Sequence, residues 1–440
     1  MGLRVAWGLV SLVPAFAVCV SLARDARAGG AGGAGEQRSE LTISLLTFGP
    51  GDHPFYKFGH DALLVHHARE GRDARDDVYN YGTFDYRSPT LISDFLKGRL
   101  RYWLSVQSLA ATVAQYRAEN RSILAQELAL TPEQRRALAD RLAHDALPAN
   151  RYYRYDYYRD NCSTRVRDAI DTAVGGRLRA ASAGPASLTF RGHTERLTAD
   201  DVPVYLGLDL AMGDVIDEPI TQWEEMFLPS MVEERVRHVG NVGNVGNVSP
   251  STPAADVPLV ARETLLLDAH RAPLRESPPR WGVRMGLIGS ALGFALAALG
   301  CAARSSRLAR VGFGLGLAVL GLAAGLLGCI FVFFWLATDH SVAHHNENIF
   351  QCFPLGLTLA VFAVGVAWGS EGAKRAVATI AALLAVCSIA GLGLKALPWF
   401  DQVNGPIVAL LLPVWTGAAV GGAALARWSA VAPSPRRRPA

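Results

Sequence analysis

The sequence predicts an α+β exported domain joined to an all-α membrane domain, and three observations carry that expectation. Half of the 440 residues are apolar, but unevenly so: residues 36–280 have ordinary globular chemistry, whereas 281–430 are dominated by Ala, Gly, Leu and Val. The chain opens with a short apolar run behind one arginine, Arg4. Strand-like and helix-like patterns are mixed through the first half.

The opening run, Val5 to Ala23, is followed by Ala26-Arg27-Ala28, a small-x-small site, so residues 1–28 read as a secretory signal peptide. An uncleaved anchor is the alternative, and either places the next segment outside the cytoplasm. A Gly/Ala linker (29–39) leads to the expected catalytic domain at 40–235. Residues 236–280, with the triple GNV of Gly240 to Val248, are expected as a linker and membrane-proximal segment.

Five apolar stretches are each about long enough to cross a hydrocarbon core of roughly 30 Å as helices. They run Val283 to Ala303, Val311 to Leu336, Ile349 to Gly369, Ala376 to Ala396 and Ile407 to Ala426, within a membrane domain at 281–430. Arg304, Arg307 and Arg310 mark the first connection as cytoplasmic, Lys374 and Arg375 the third, and Arg427 with Arg436, Arg437 and Arg438 the tail at 431–440. The second and fourth connections carry no Lys or Arg. All five spans agree on one orientation: a bacterial inner-membrane protein with its catalytic domain in the periplasm and its C-terminus inside. The formal charge of +4 is small and sits at membrane boundaries, which gives no footprint for nucleic acid.

Within the exported half, LTISLLTFG reads as a strand, FGHDALLVHH and DDVYNYGTF as a hairpin, Leu91 to Lys97 as a short helix or turn, and RLRYWLSVQ as a strand. A helix follows from about Leu109 to Asn120, and another opens at Thr131-Pro132. Val166, Ala169, Ile170, Ala173 and Val174 form a helical stripe ended by Gly175-Gly176, so this helix starts at Asp160 or Asn161 and holds Cys162 in its first turn. Residues 177–235 are expected as strand and short-helix structure.

Cys162 is the sole cysteine of the exported domain once Cys19 leaves with the signal, so it has no partner for an internal disulfide. Backbone N–H groups at a helix start favour a thiolate and can receive an oxyanion. A small buried side chain is the bland reading. A nucleophilic cysteine needs a base. Among His53, His60, His66, His67, His144, His193, His238 and His270, His60 stands out at the start of a strand, directly after a glycine.

The order of FGHDALLV, YNYGTFDY, LKGRLRYWL, ENRSILAQELALTPEQ, YYRYDYYRDNCSTRVRD and WEEMFLP resembles the periplasmic domain of Lnb-type lipoprotein N-acyltransferases, over roughly residues 40 to 235. More broadly it is similar to circularly permuted papain-like folds of the NlpC/P60 and lecithin:retinol acyltransferase type. The resemblance implies transfer of an acyl chain from a phospholipid to the N-terminal α-amine of a bacterial lipoprotein, through a thioester on Cys162 with His60 as base. It implies no cofactor. A polar residue on the next strand then orients the imidazole: Asn80, with Tyr81 as substitute and substrate-binding candidate. Arg165 is the candidate to meet lipid phosphate, a surface ion pair being the alternative. The outer connection DHSVAHHNENIF is expected as a polar cap near the site, a solvated loop or, least of all, a metal site; no metal is assigned. The rival functions are a membrane-tethered cysteine amidase or peptidase and a non-enzymatic scaffold or sensor.

Overall fold

A computed structural model describes residues 41–68, 75–85, 87–240 and 257–431. The expected signal peptide and Gly/Ala linker, the GNV repeat beyond Gly240 and the expected cytoplasmic tail beyond Val431 lie outside the described residues. In chain order the elements begin with β1 (Leu41–Phe48), β2 (His60–His67), β3 (Arg75–Thr83), α1 (Leu91–Leu96), β4 (Arg101–Ser108), α2 (Leu109–Ala118), β5 (Ile123–Leu128), α3 (Pro132–Asp145), β6 (Tyr152–Arg154) and α4 (Cys162–Ala173). Then come α5 (Arg177–Ala181), α6 (Phe190–Thr198), α7 (Val202–Ala211), α8 (Gln222–Glu225), α9 (Pro229–His238) and β7 (Val260–Leu267). The apolar half forms α10 (Gly282–Ala302), α11 (Arg307–Ala337), α12 (Gly356–Ala367), α13 (Glu371–Leu394) and α14 (Gly405–Val431).

The strands form one sheet in the order β6-β4-β3-β2-β1-β5-β7, each neighbouring pair antiparallel. Alternation along the strands gives it two buried faces. Ile43, Leu45, Leu63, Val65, Tyr79 and Leu104 face the helical layer that contributes Leu138, Val166, Ile170 and Val232. Leu46, Phe48, Ala62, Leu64 and Val78 pack with Tyr116 of α2 on the other side. Antiparallel register brings Phe48, His60, Thr83, Arg101, Ile123, Arg154 and Leu267 to the same end of the sheet. Two segments at that end meet the membrane half: the connection that holds α1, through Phe95 and Lys97, and the stretch from the end of β6, through Arg154 and Tyr157.

Three expectations change. Residues 177–235 contain no strand in the sheet; they are helical, because Thr189, Asp201 and Thr221 each cap a helix start through their side chains. Segment 236–280, expected as linker, supplies β7, which adds to the exposed edge of β5. The third apolar stretch is shorter than the expected Ile349 to Gly369: Pro354 follows a 3-10 turn at Glu347–Phe350, and α12 has only 12 residues. At about 1.5 Å per residue it reaches roughly 18 Å, well short of a full crossing. The other four helices, of 21, 31, 24 and at least 23 residues, are long and apolar enough to cross a membrane. α10 and α14 pack backbone to backbone: a Cβ at Gly293 would collide with the Pro413 carbonyl, and one at Gly417 with the Gly293 carbonyl.

Candidate active site

Cys162 owes its position to Asn161. The Asn161 side chain accepts from the Thr164 N–H at 2.9 Å while Thr164 Oγ1 accepts from the Asn161 N–H at 2.8 Å, a reciprocal cap. Its amide nitrogen also donates to the carbonyls of Tyr157 and Phe227, at 2.9 and 3.0 Å. The cap therefore ties the tyrosine-rich approach, the helix start and the turn before α9 into one rigid corner. Val166, Ala169 and Ile170, fully buried, hold the rest of α4 against the sheet.

His60 starts β2, next to the end of β1, and its ring stacks on Phe48. Gly59 before it has φ +80, and a Cβ there would press on the Phe48 carbonyl, so glycine is required to bring the chain in. His60 Nε2 donates to Asn80 Oδ1 at 2.6 Å. With that proton on Nε2, Nδ1 is left as the basic nitrogen. Gly82, two residues beyond Asn80, sits where β3 slips register against β4. At φ +94, a Cβ on Gly82 would lie 3.3 Å from His60 Cε1 and 3.4 Å from the Cys162 Cβ. The imidazole and the thiol-bearing side chain thus border one point, and only a glycine leaves it open.

The sulfur is nearly enclosed: Cys162 is 8% exposed. Burial pushes its thiol up, and the opposing hydrogen bonds come from the Asp61 N–H, the Ser163 hydroxyl and N–H, and its own N–H. Burial also pushes His60 down, while the Asn80 hydrogen bond works the other way. Both shifts favour a resting pair of neutral thiol and neutral imidazole. Asp61 is fully buried beside them, and burial raises its carboxyl well above the usual range, with the neighbouring sulfur adding to the rise. The Ser163 hydroxyl is directed to it, yet neither carboxylate oxygen has a hydrogen bond of normal geometry. Asp61 and Gly82 escaped the sequence reading: one follows a histidine that drew the attention, the other matters only once β3 and α4 meet.

The other residues singled out in the sequence lie elsewhere around this centre. The Tyr81 hydroxyl donates to Asp145 at 2.9 Å, on the sheet face opposite to that of Asn80, so it does not reach His60 in its place. Arg165 makes a two-pronged ion pair with Asp160 at 2.7 and 2.8 Å, its guanidinium stacked on Tyr153. His66 pairs with Asp76 at the far end of β2. The connection between α11 and α12 reaches the site's surroundings: His340 stacks on Tyr157. Farther along it, the Glu347 carboxylate approaches Asp214 and Asp401, and the Lys395 ammonium already neutralises it.

The fold and site define a membrane protein that carries a cysteine–histidine pair on an exported α+β domain, at the end of the sheet nearest the membrane helices. Residues 36–196 match the family model described as the Lnb N-terminal periplasmic domain, and residues 291–411 match the Lnb transmembrane domain. Together these matches cover well over half of the chain, which belongs to the Lnb-type family and has a periplasmic N-terminal part. Membership points to an enzyme that modifies lipoproteins. Comparison with curated proteins and with solved structures gave no match.

Proposed function

We propose that the protein is a cysteine-dependent acyltransferase that moves a fatty acyl chain from a phospholipid to the N-terminal α-amine of a lipoprotein. The observation that carries this reading is the convergence of Cys162 and His60 across Gly82, at the sheet end that meets the membrane half. We read the domain as a permuted papain-like fold, with the histidine strand preceding the cysteine helix, and the C-terminus as cytoplasmic.

In the first half-reaction His60 Nδ1 takes the thiol proton as Cys162 Sγ attacks the ester carbonyl of the phospholipid. The carbonyl oxygen gains negative charge next to the N–H groups of Asp61, Cys162 and Ser163, which already point at the sulfur. Collapse of this intermediate breaks the ester C–O bond; the leaving lysophospholipid oxygen takes the proton from His60, and the acyl chain remains as a thioester. In the second half-reaction the lipoprotein amine attacks that thioester, loses its proton to His60, and the departing sulfur is reprotonated. Asn80 keeps the imidazole in the tautomer both steps need. The neutral resting pair suits this sequence, since the sulfur is activated only when a base is in place.

Mass spectrometry of lipoprotein N-termini, in cells that depend on this protein for N-acylation, tests the reading. Wild-type protein is expected to yield acylated α-amines, and Cys162→Ala or His60→Ala to lower the rate by about 1000-fold or more. Free α-amines with the wild type, or full activity in either variant, would overturn it. Asn80→Ala, which leaves acid and nucleophile in place, is expected to cost about 10- to 100-fold.

A further inference from the structure

α1 is six residues long, and three of them are large, apolar and exposed: Ile92 at 73%, Phe95 at 41% and Leu96 at 43%. Such a cluster is unusual on a surface that faces only water. Its location accounts for it. The Phe95 carbonyl accepts from His340 Nε2 at 2.7 Å, and the Lys97 carbonyl accepts from the Asp339 N–H at 2.8 Å. Gly98, at φ +70, has no room for a Cβ beside the His340 backbone. α1 is therefore fastened to the residues that directly follow α11, a helix of membrane-spanning length. The last turn of α11 exposes Trp335 and Leu336. Tryptophan at the end of a span marks the boundary between hydrocarbon and headgroups. The exposed apolar side chains of α1 thus sit on a segment fastened to the end of a membrane-length helix whose last turn is itself apolar and exposed.

Ring contacts lead inward from there: Phe95 to His340, His340 to Tyr157, Tyr157 to Tyr155 and Tyr155 to Tyr102. The same groups line a groove together with Leu100. Its inner side lies against the start of α4, since the Tyr157 carbonyl accepts at 2.9 Å from the amide nitrogen of Asn161, the residue before Cys162.

We propose that α1 is seated in the outer surface of the phospholipid bilayer and that the groove between α1, the His340 turn and the tyrosines is the path by which a phospholipid acyl ester reaches Cys162. The seat needs only the geometry; the path also rests on the acyl-transfer reading. Phospholipid esters lie just beneath the headgroups, the depth to which a short apolar helix face sinks. A donor beside α1 would present its ester to the groove without leaving the membrane.

The test uses the full chain in vesicles of phosphatidylethanolamine and phosphatidylglycerol. A photoreactive benzoylphenylalanine replaces Ile92 for the seat, Tyr157 for the path, or Ala111, exposed beside Ser108 at the opposite end of the sheet, as control. After irradiation, intact mass is expected to reveal phospholipid adducts at 92 and 157, at least about tenfold above those at 111. Adducts at 92 without any at 157 would overturn the path. No adduct at 92, or as many at 111, would overturn the seat. The readout needs no turnover, so adducts at 92 and 157 alongside wild-type protein that never carries an acyl group on Cys162 would sink the acyl-transfer reading and the path's purpose, and leave the seat standing.

Discussion

Two regions of the periplasmic part bury carboxylates, and they treat them in opposite ways. In the helical lobe, Arg191 lies between Asp217 at 2.7 Å and Asp209 at 3.0 Å, all three side chains at most 4% exposed. At the active site, Asp61 is equally buried and, among the described residues, makes no ion pair. The first arrangement builds a joint. Arg191 also donates to the carbonyls of Met212 and Gly213, fixing the turn that meets the membrane half. There Asp217 accepts from the Val403 N–H, Gln402 donates to the Met212 carbonyl and Asn346 to the Leu210 carbonyl. The second arrangement is costly to stability and persists beside a nucleophile. Charge that is paired fixes one part on the other, and an acid left alone marks the place where a proton matters.

The largest effect should come from breaking the paired region. Arg191→Met leaves two buried carboxylates without their cation and removes five hydrogen bonds. A loss of about 3–5 kcal/mol is expected, read as a lower thermal unfolding midpoint of the solubilised protein. Adding Asp209→Asn and Asp217→Asn to the same chain should restore a good part of it, since the charges then vanish together. A loss below about 1 kcal/mol for the single variant would mean that the joint does not depend on this arginine.

The unpaired acid should behave differently. With its folded value raised, Asp61 keeps a proton in the native state that the unfolded chain releases above the ordinary carboxyl range. Stability then falls as pH rises through that range and goes on falling until the folded value is passed, by at most about 1.4 kcal/mol per pH unit for one proton. Asp61→Asn cannot ionise. Its unfolding midpoint should match the wild type in acid and exceed it by a margin that grows as pH rises above the ordinary carboxyl range. A margin that stays constant with pH would show that Asp61 does not titrate there, and the contrast with Arg191 would lose one of its sides.

Much of this was readable from residues alone, where local signals agree. The hairpin of β2 and β3 follows from alternation, and the start of α4 from Asn161 together with the stripe Val166, Ala169 and Ile170. The conspicuous position of His60 after a glycine leads to the observed corner, and Asn80 meets the imidazole. What was not readable depends on contacts distant in sequence. β7 has a mostly exposed pattern and is a strand because β5 offers an open edge. For Arg165 the sequence leaves lipid phosphate and a surface ion pair both open, and in the structure Asp160, five residues earlier, holds it. The apolar count of the third span conceals Pro354, which cannot donate to a helix ladder and sets where α12 begins. Gly82 carries no signal until two side chains converge on it.

The smallest effect is expected from an acid that is paired but exposed. Asp339 accepts from Arg99 and Arg154, both at 2.8 Å, and these two hydrogen bonds hold its carboxyl below the usual range. On distance alone it equals the Arg191 cluster, and it too links the periplasmic part to the membrane half. The difference is water. Both arginines are more than half exposed, so solvent and salt weaken the attraction, and little desolvation cost remains to be recovered when the charge is lost. The turn is held in any case by main-chain geometry, through the Asp339 N–H on the Lys97 carbonyl and His340 on the Phe95 carbonyl. Asp339→Asn preserves both of those bonds. Its unfolding midpoint should stay within about 1 °C of the wild type, at low and at high salt. A drop comparable to that of Arg191→Met would mean that proximity, and not burial, determines what a charge pair is worth at this joint.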